Sequence, residues 1–235
     1  MNTSIYDISL LNLLWVMIPV AMVIVIYIHW TQDKTTLFYA LFRMLIQLIV
    51  IGYVLTYIFN VDSPYLVMLI LSVMLVAASI ISMRPVEKRQ NEFYLYAFIS
   101  IFIGSIFTLT MVVFGVLTLD SWYEPRYIIP LAGMIFANAM NAVSISAERL
   151  ESEINRGNTY SSARVISYKA ALIPRINMLF AVGLVSLPGM MTGQILSGVD
   201  PLIAVRYQIM VMLMILGSAG ISVAIYLMLL KKRYI

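Results

Sequence analysis

Long apolar runs separated by short polar connections occupy almost the whole of this 235-residue chain. A helix needs about 20 mostly apolar residues to cross the hydrocarbon core of a bilayer. Seven stretches meet that requirement: residues 10–28, 36–59, 65–83, 93–117, 127–147, 175–196 and 207–230. In lipid the backbone must satisfy its own polar groups, so such runs fold as helices. The chain is 62% hydrophobic and 11% charged, whereas a soluble domain is about 25% charged. The reading is an all-α polytopic membrane protein with about seven transmembrane helices, one transmembrane domain over residues 1–235. Met1 to Ser9 contains Asp7 and no Lys or Arg. The first run therefore reads as a retained helix rather than a cleaved signal.

Basic residues set the expected orientation, because cytoplasmic loops are enriched in Lys and Arg. With the N-terminus outside, the cytoplasmic set is Lys34, Arg84, Lys88, Arg89, Arg149, Arg156, Arg164, Lys169, Lys231, Lys232 and Arg233, eleven in all. The outer set is Arg126 and Arg206, two in all. Eleven against two puts the N-terminus outside and the C-terminus in the cytoplasm. The short connection from Asn60 to Pro64 makes the second and third spans antiparallel neighbours. The net charge of +4 sits beside the spans and forms no nucleic-acid groove, so no nucleic-acid partner is expected.

Several chemistries are excluded. Cysteine is absent and His29 is the single histidine, so thiolate sites and His-cluster metal sites are not available within one chain. There is no G-x-x-x-x-G-K-[ST], no H-E-x-x-H and no G-x-S-x-G. The chain is not expected to be an enzyme, and it carries no catalytic residues or cofactor of its own. No acidic residue lies deep in a span, which weakens a proton-coupled carrier.

The stretch GLVSLPGMMTGQILSGVDP, residues 183–201, begins well inside an apolar run. Proline removes a backbone donor and clashes with the preceding turn. Pro188 and Gly189 therefore kink or break the sixth span. Two readings stand side by side. Broken helices near the midplane carry binding sites in many transporters. A kinked packing helix with a Gly189-x-x-x-Gly193 contact is the plainer alternative. Met190, Met191 and Gln194 lie just beyond the break.

Other polar groups inside the spans are functional candidates by their cost in lipid. Arg43 and Gln47 are four apart in the second span, and Arg43 is close enough to its end to snorkel. Asn138, Asn141 and Ser144 recur every three residues in the fifth span. They suit interhelical hydrogen bonds or a polar path. The translocation-path candidates are Gln47, Asn138, Asn141, Met190, Met191 and Gln194. The 17 methionines raise the possibility of thioether ligation, since thioethers select soft metals such as Cu(I). Met210, Met212 and Met214 are spaced by two and so point different ways on a helix. Packing is favoured for these and for Met190–Met191, and the identity of any metal ligands stays open.

One substantial polar segment, 148–170, lies between the fifth and sixth spans. Its first part continues the fifth span as an exposed helix. Gly157 and Asn158 form a C-cap and turn. Thr159 or Ser161 then caps a short amphipathic helix that ends at Pro174. Such a helix suits a lipid surface or a groove on a soluble partner.

Four stretches resemble a known family: Gln47 to Leu55, Ile129 to Ile135, Asn138 to Val143, and Val182 to Gly193 with its LVSLPGMMTG core. The chain resembles the FetB-type permeases, which include bacterial iron-export permeases and plant aluminium-sensitivity permeases, over nearly its whole length. The resemblance implies the membrane subunit of an ATP-binding-cassette transporter in the cell membrane, exporting iron or another metal. A separate cytoplasmic ATPase would bind ATP and Mg, and this chain would pair with a second copy of itself. The 148–170 segment would then couple to the ATPase through Gly157, Tyr160, Arg164, Val165, Ile166 and Tyr168. This chain departs from the bacterial pattern in a shorter approach from Arg156 to Pro174. The rival readings are an ATP-independent metal channel or secondary carrier, and a non-transporting membrane scaffold or sensor.

Overall fold

The computed structural model describes residue 9 and residues 11–59, 63–86 and 90–234. Lys88, Arg89, most of the connection after the second span and most of the N-terminal segment lie outside the described residues. The described residues form α1 Leu14–Thr31, α2 Thr36–Ile58, α3 Pro64–Ser82, α4 Asn91–Gly115, α5 Pro125–Asn155, α6 Tyr160–Ala181, α7 Gly189–Leu196 and α8 Pro201–Tyr234. Six of these, α1 to α5 and α8, are long and apolar enough to cross a membrane. The chain is a multi-pass membrane protein.

The sixth expected span, 175–196, is broken, and the break begins at Val182, before Pro188. Its first residues complete α6, and its last form the separate eight-residue α7. α6 carries Arg164, Lys169 and Arg175, and α7 is about 12 Å long at 1.5 Å per residue. A second expectation is also corrected. The helix after Thr159 does not stop at Pro174 but runs through it to Ala181. Ala163, Ser167 and Ala171 are buried on one face before the proline, and that packing holds the helix in place across the lost hydrogen bond.

The chain divides into two compact units, Met1–Asp62 and Ser63–Ile235. In the first, α1 and α2 are joined by a capped turn. Gln32 takes a left-handed conformation at φ 59°. Asp33 Oδ1 then accepts from the Thr35 and Thr36 backbone N–H groups at 3.0 and 3.1 Å. Hydrogen bonds from Thr36 hold this carboxyl below the usual carboxylate range, with the Thr35 N–H adding to the effect.

In the second unit α4, α5 and α8 carry most of the core. α4 buries Ala97, Ser100, Ile101, Gly104, Ser105 and Thr108 at the three- and four-residue spacing of one helical face. α8 buries Val211, Ile215, Ser218, Ala219, Ser222 and Val223 in the same way. Small residues let membrane helices approach closely. The closest approach is at Gly104, where an added Cβ would lie 2.3 Å from Ser222 Oγ and 2.8 Å from the Ser222 backbone nitrogen. Several buried hydroxyls bond within their own helices, as with Ser100 to the Ala97 carbonyl at 2.9 Å and Thr108 to the Gly104 carbonyl at 2.7 Å, whereas Ser105 Oγ and Ser222 Oγ are buried without a partner.

Candidate functional site

The site region is the interruption between α6 and α7, together with the part of α8 beside it. α6 ends because Gly183 turns left-handed at φ 81°, a conformation that glycine adopts at little steric cost. The chain then folds back on itself. The Ala181 carbonyl accepts from the N–H groups of Leu184, Val185 and Ser186, and Gly183 donates to the Ser186 carbonyl at 3.0 Å. Pro188 stands at the N-cap of α7 with extended backbone at ψ 147°, and Gly189 is the first helical residue. The Pro188 carbonyl accepts from Thr192 N–H at 3.0 Å and Thr192 Oγ1 at 3.1 Å. The interruption thus spans seven residues, 182–188, and the N–H groups of Gly183, Leu184, Val185 and Ser186 are bonded within the turn.

Two pockets flank α7, and they separate the adjacent Met190 and Met191. One, of about 260 Å³, is lined by Arg126, Tyr127, Pro130, Leu131 and Met134 of α5, Met190 of α7, and Tyr207 and Met210 of α8. The other, of about 330 Å³, lies against the interruption. It is lined by Met191, by Gln208 and Met212 of α8, and otherwise by aliphatic side chains and Gly183. The two-residue spacing of Met210 and Met212 on α8 matches the one-residue spacing on α7. Each pocket therefore receives one thioether from α7 and one from α8.

Gln208 is the site residue that the sequence reading passed over. It is only 5% exposed, and its Oε1 is buried with no hydrogen-bond partner. The available signal was an amide eight residues into a long apolar helix, where a polar group is a candidate by default. Gln194 is half-buried, and its Oε1 is likewise buried and unpartnered. Asn138 is half-buried and donates to the Met134 carbonyl at 2.8 Å on its own helix. Asn141 is exposed, and neither asparagine lines the two pockets. Gln47 is exposed on α2, in the first unit.

The connection between α5 and α6 is built around a buried carboxylate. Glu153 is 3% exposed. Its Oε1 lies 2.8 Å from Arg149 Nη2 and 3.1 Å from Arg156 Nη1, and its Oε2 accepts from Asn158 Nδ2 at 2.6 Å. Gly157, left-handed at φ 86°, closes α5, and the Thr159 hydroxyl accepts from Ser162 N–H at 3.4 Å to start α6. Tyr160 is buried, stacks on Tyr234 at 5.7 Å and donates its hydroxyl to the Leu227 carbonyl. Burial raises the Tyr160 phenol above its ordinary range. Ile166 and Tyr168 are half-buried, and the Tyr168 hydroxyl reaches the face of α8 at Gly220. Arg164 and Val165 are exposed and, with Tyr168 and Lys169, line a groove of about 350 Å³ against Ala224, Leu227 and Met228. Of the residues expected to meet an ATPase, Gly157, Arg164 and Val165 are at the surface, and Tyr160 is committed to α8.

Comparison with known proteins now adds to this geometry. A family model described as "Uncharacterised protein family (UPF0014)" matches residues 8–235. A UPF0014 membrane protein of Synechocystis sp. is 36% identical over 77% of this chain and 75% of its own length. The Escherichia coli protein titled "Probable iron export permease protein FetB" is 36% identical over 82% of this chain and 78% of its own. Protein ALUMINUM SENSITIVE 3 of Arabidopsis thaliana is 31% identical over 86% of this chain and 80% of its own. No solved structure gives a significant match.

Proposed function

Because the chain belongs to the UPF0014 family of membrane proteins, we propose that it is the permease subunit of an ATP-binding-cassette transporter that exports iron or another metal ion. The observation that carries this reading is the 36% identity, over 82% of the chain, to a relative named as a probable iron export permease. The sequence has no P-loop, so a separate cytoplasmic ATPase would bind ATP and Mg and supply the work. Two copies of the chain, in the plasma membrane, would form the path between them. In this reading the α6–α7 interruption crosses the membrane with α6 as a discontinuous span, which gives an odd number of crossings and opposite sides for the two termini.

The α5–α6 connection is the coupling element of this proposal. Glu153 fixes the turn, Tyr160 and Tyr168 tie α6 to α8, and the exposed Gly157, Arg164 and Val165 meet the ATPase. Motion at the turn would pass along α6 to the interruption. Asn138, Asn141 and Gln194 offer the oxygen and nitrogen donors that iron prefers over thioethers.

The test is reconstitution. The chain and its co-encoded ATPase should copurify, and vesicles that contain both should accumulate Fe(II) in an ATP-dependent manner. Flux without the ATPase would favour a channel or carrier. A complex with active ATPase and no flux for any metal in a panel would favour a scaffold or sensor.

A further inference from the structure

We infer that the pocket between the α6–α7 interruption and α8 binds a soft monovalent cation of the Cu(I) or Ag(I) class, held by the Met191 and Met212 thioethers and the Gln208 amide oxygen. The starting observation is Gln208, whose side chain lines a cavity of about 330 Å³ and whose Oε1 is buried without a partner. A buried acceptor left unpaired keeps its full desolvation cost, and such exceptions call for an explanation. An acceptor oxygen is satisfied by a hydrogen-bond donor or by a cation. Apart from Gln208 and the two methionines, the lining side chains are aliphatic, with Gly183 completing the wall. They supply no donor.

The same lining selects among ligands. No charged side chain borders the pocket, so an anion finds no counter-charge there. A hard divalent cation needs several oxygen or nitrogen ligands, and the side chains offer a single oxygen. Thioethers are soft donors that select Cu(I). Transfer of a charge into an apolar site is costly, and the Born cost rises with the square of the charge, which favours a monovalent ion. Gln208 and Met212 are four apart and share one face of α8. Met191 comes from α7, so the three donor residues line the cavity from two elements. The neighbouring pocket is the internal contrast. It holds Met134, Met190 and Met210, and Arg126 lines it too. A guanidinium opposes a cation.

As a claim about cargo, this site rests on the metal-export reading; as a claim about binding, it stands on the pocket alone. The test uses the full chain in nanodiscs without ATPase, with Ag(I) as a redox-stable probe. Equilibrium binding and silver-edge X-ray absorption should show one tight Ag(I) with sulfur neighbours and a light oxygen or nitrogen neighbour. The Met191→Leu, Met212→Leu double variant keeps the apolar volume and should weaken tight binding by about tenfold or more, about 1.4 kcal/mol per tenfold. Gln208→Leu should remove the light neighbour, whereas Gln208→Glu should tighten binding. A Met190→Leu, Met210→Leu protein should bind as the parent does. Unchanged binding in the Met191 and Met212 double variant would overturn the site, as would loss of binding in the Met190 and Met210 variant alone. Tight Ag(I) binding in a chain whose ATPase complex moves no metal would sink the export reading and leave this site standing. ATP-dependent flux with no thioether-dependent binding would do the reverse.

Discussion

Gly104 and Glu153 illustrate how single residues set this molecule. An added methyl at Gly104 would meet Ser222 Oγ at 2.3 Å and the Ser222 nitrogen at 2.8 Å. The hydroxyl can rotate away, but the α8 backbone cannot. Gly104→Ala should therefore separate α4 from α8 and cost about 1–3 kcal/mol, the usual range for overpacking. Gly115→Ala, with open space around it, should be close to neutral. Unfolding in mixed micelles would compare the two. An equal effect of both changes would mean that the α4–α8 crossing is looser than this contact requires. These side chains also mark the limits of the sequence. The small-residue stripe of α4 is visible as a pattern, but nothing in the order of residues pairs Gly104 with Ser222, 118 positions later. The Met190–Met191 pair is conspicuous in the chain. Its division between two pockets depends on the angle at which α7 leaves the interruption, which is a tertiary property. Gln208 is legible by the cost of an amide in an apolar helix, but its place beside the α6–α7 interruption is tertiary.

At the scale of elements, both ends of α6 are fixed by left-handed glycines, Gly157 at φ 86° and Gly183 at φ 81°. The Gly157 turn reads directly from Gly-Asn followed by a Thr cap, because those signals are local. The second break is less legible, since the local breaker signal is Pro188 whereas the helix already ends at Ala181. A proline announces its own missing donor. A glycine in an apolar run announces nothing until its φ is known. Gly183→Ala has open space for its methyl but a strained backbone, and should cost about 1 kcal/mol. If the interruption is the working part of the path, this variant should slow transport more than it lowers stability. Equal losses would make the turn a structural joint only. Glu153→Ala should leave Arg149, Arg156 and Asn158 without their shared acceptor. Hydrogen exchange should then quicken across residues 155–162, while α4 and α8 keep their protection. The partner arginines are 38% and 62% exposed, so solvent screening limits the effect on global stability.

At the scale of the whole molecule, the six continuous spans leave the crossing number to the α6–α7 segment. Apolar runs and Lys/Arg asymmetry are strong sequence signals because the bilayer imposes them on every span. A discontinuous segment escapes the same reading, since its composition matches a span and its backbone does not. α6 alone is about 33 Å long from Tyr160 to Ala181 at 1.5 Å per residue, but Arg164 and Lys169 lie in its first half. The twelve residues left after Lys169 span about 18 Å by the same rise, short of the roughly 30 Å hydrocarbon core; they include Arg175, whose long side chain must snorkel toward the interface if this stretch lies in the core. α7 adds about 12 Å, and the two together are close to the core thickness. A crossing therefore needs α6 and α7 in sequence, with the interruption within the core. Single cysteines are clean reporters in a chain with none of its own. Ser161→Cys at the start of α6 should be protected from an impermeant thiol reagent outside intact cells, and Ser197→Cys after α7 should react. Labelling of both from the same side would make α6–α7 a re-entrant segment, restore an even number of crossings and place both termini on one side. Reaction of Ser161→Cys alone would invert the molecule, and the eleven-to-two charge asymmetry would have misjudged its orientation.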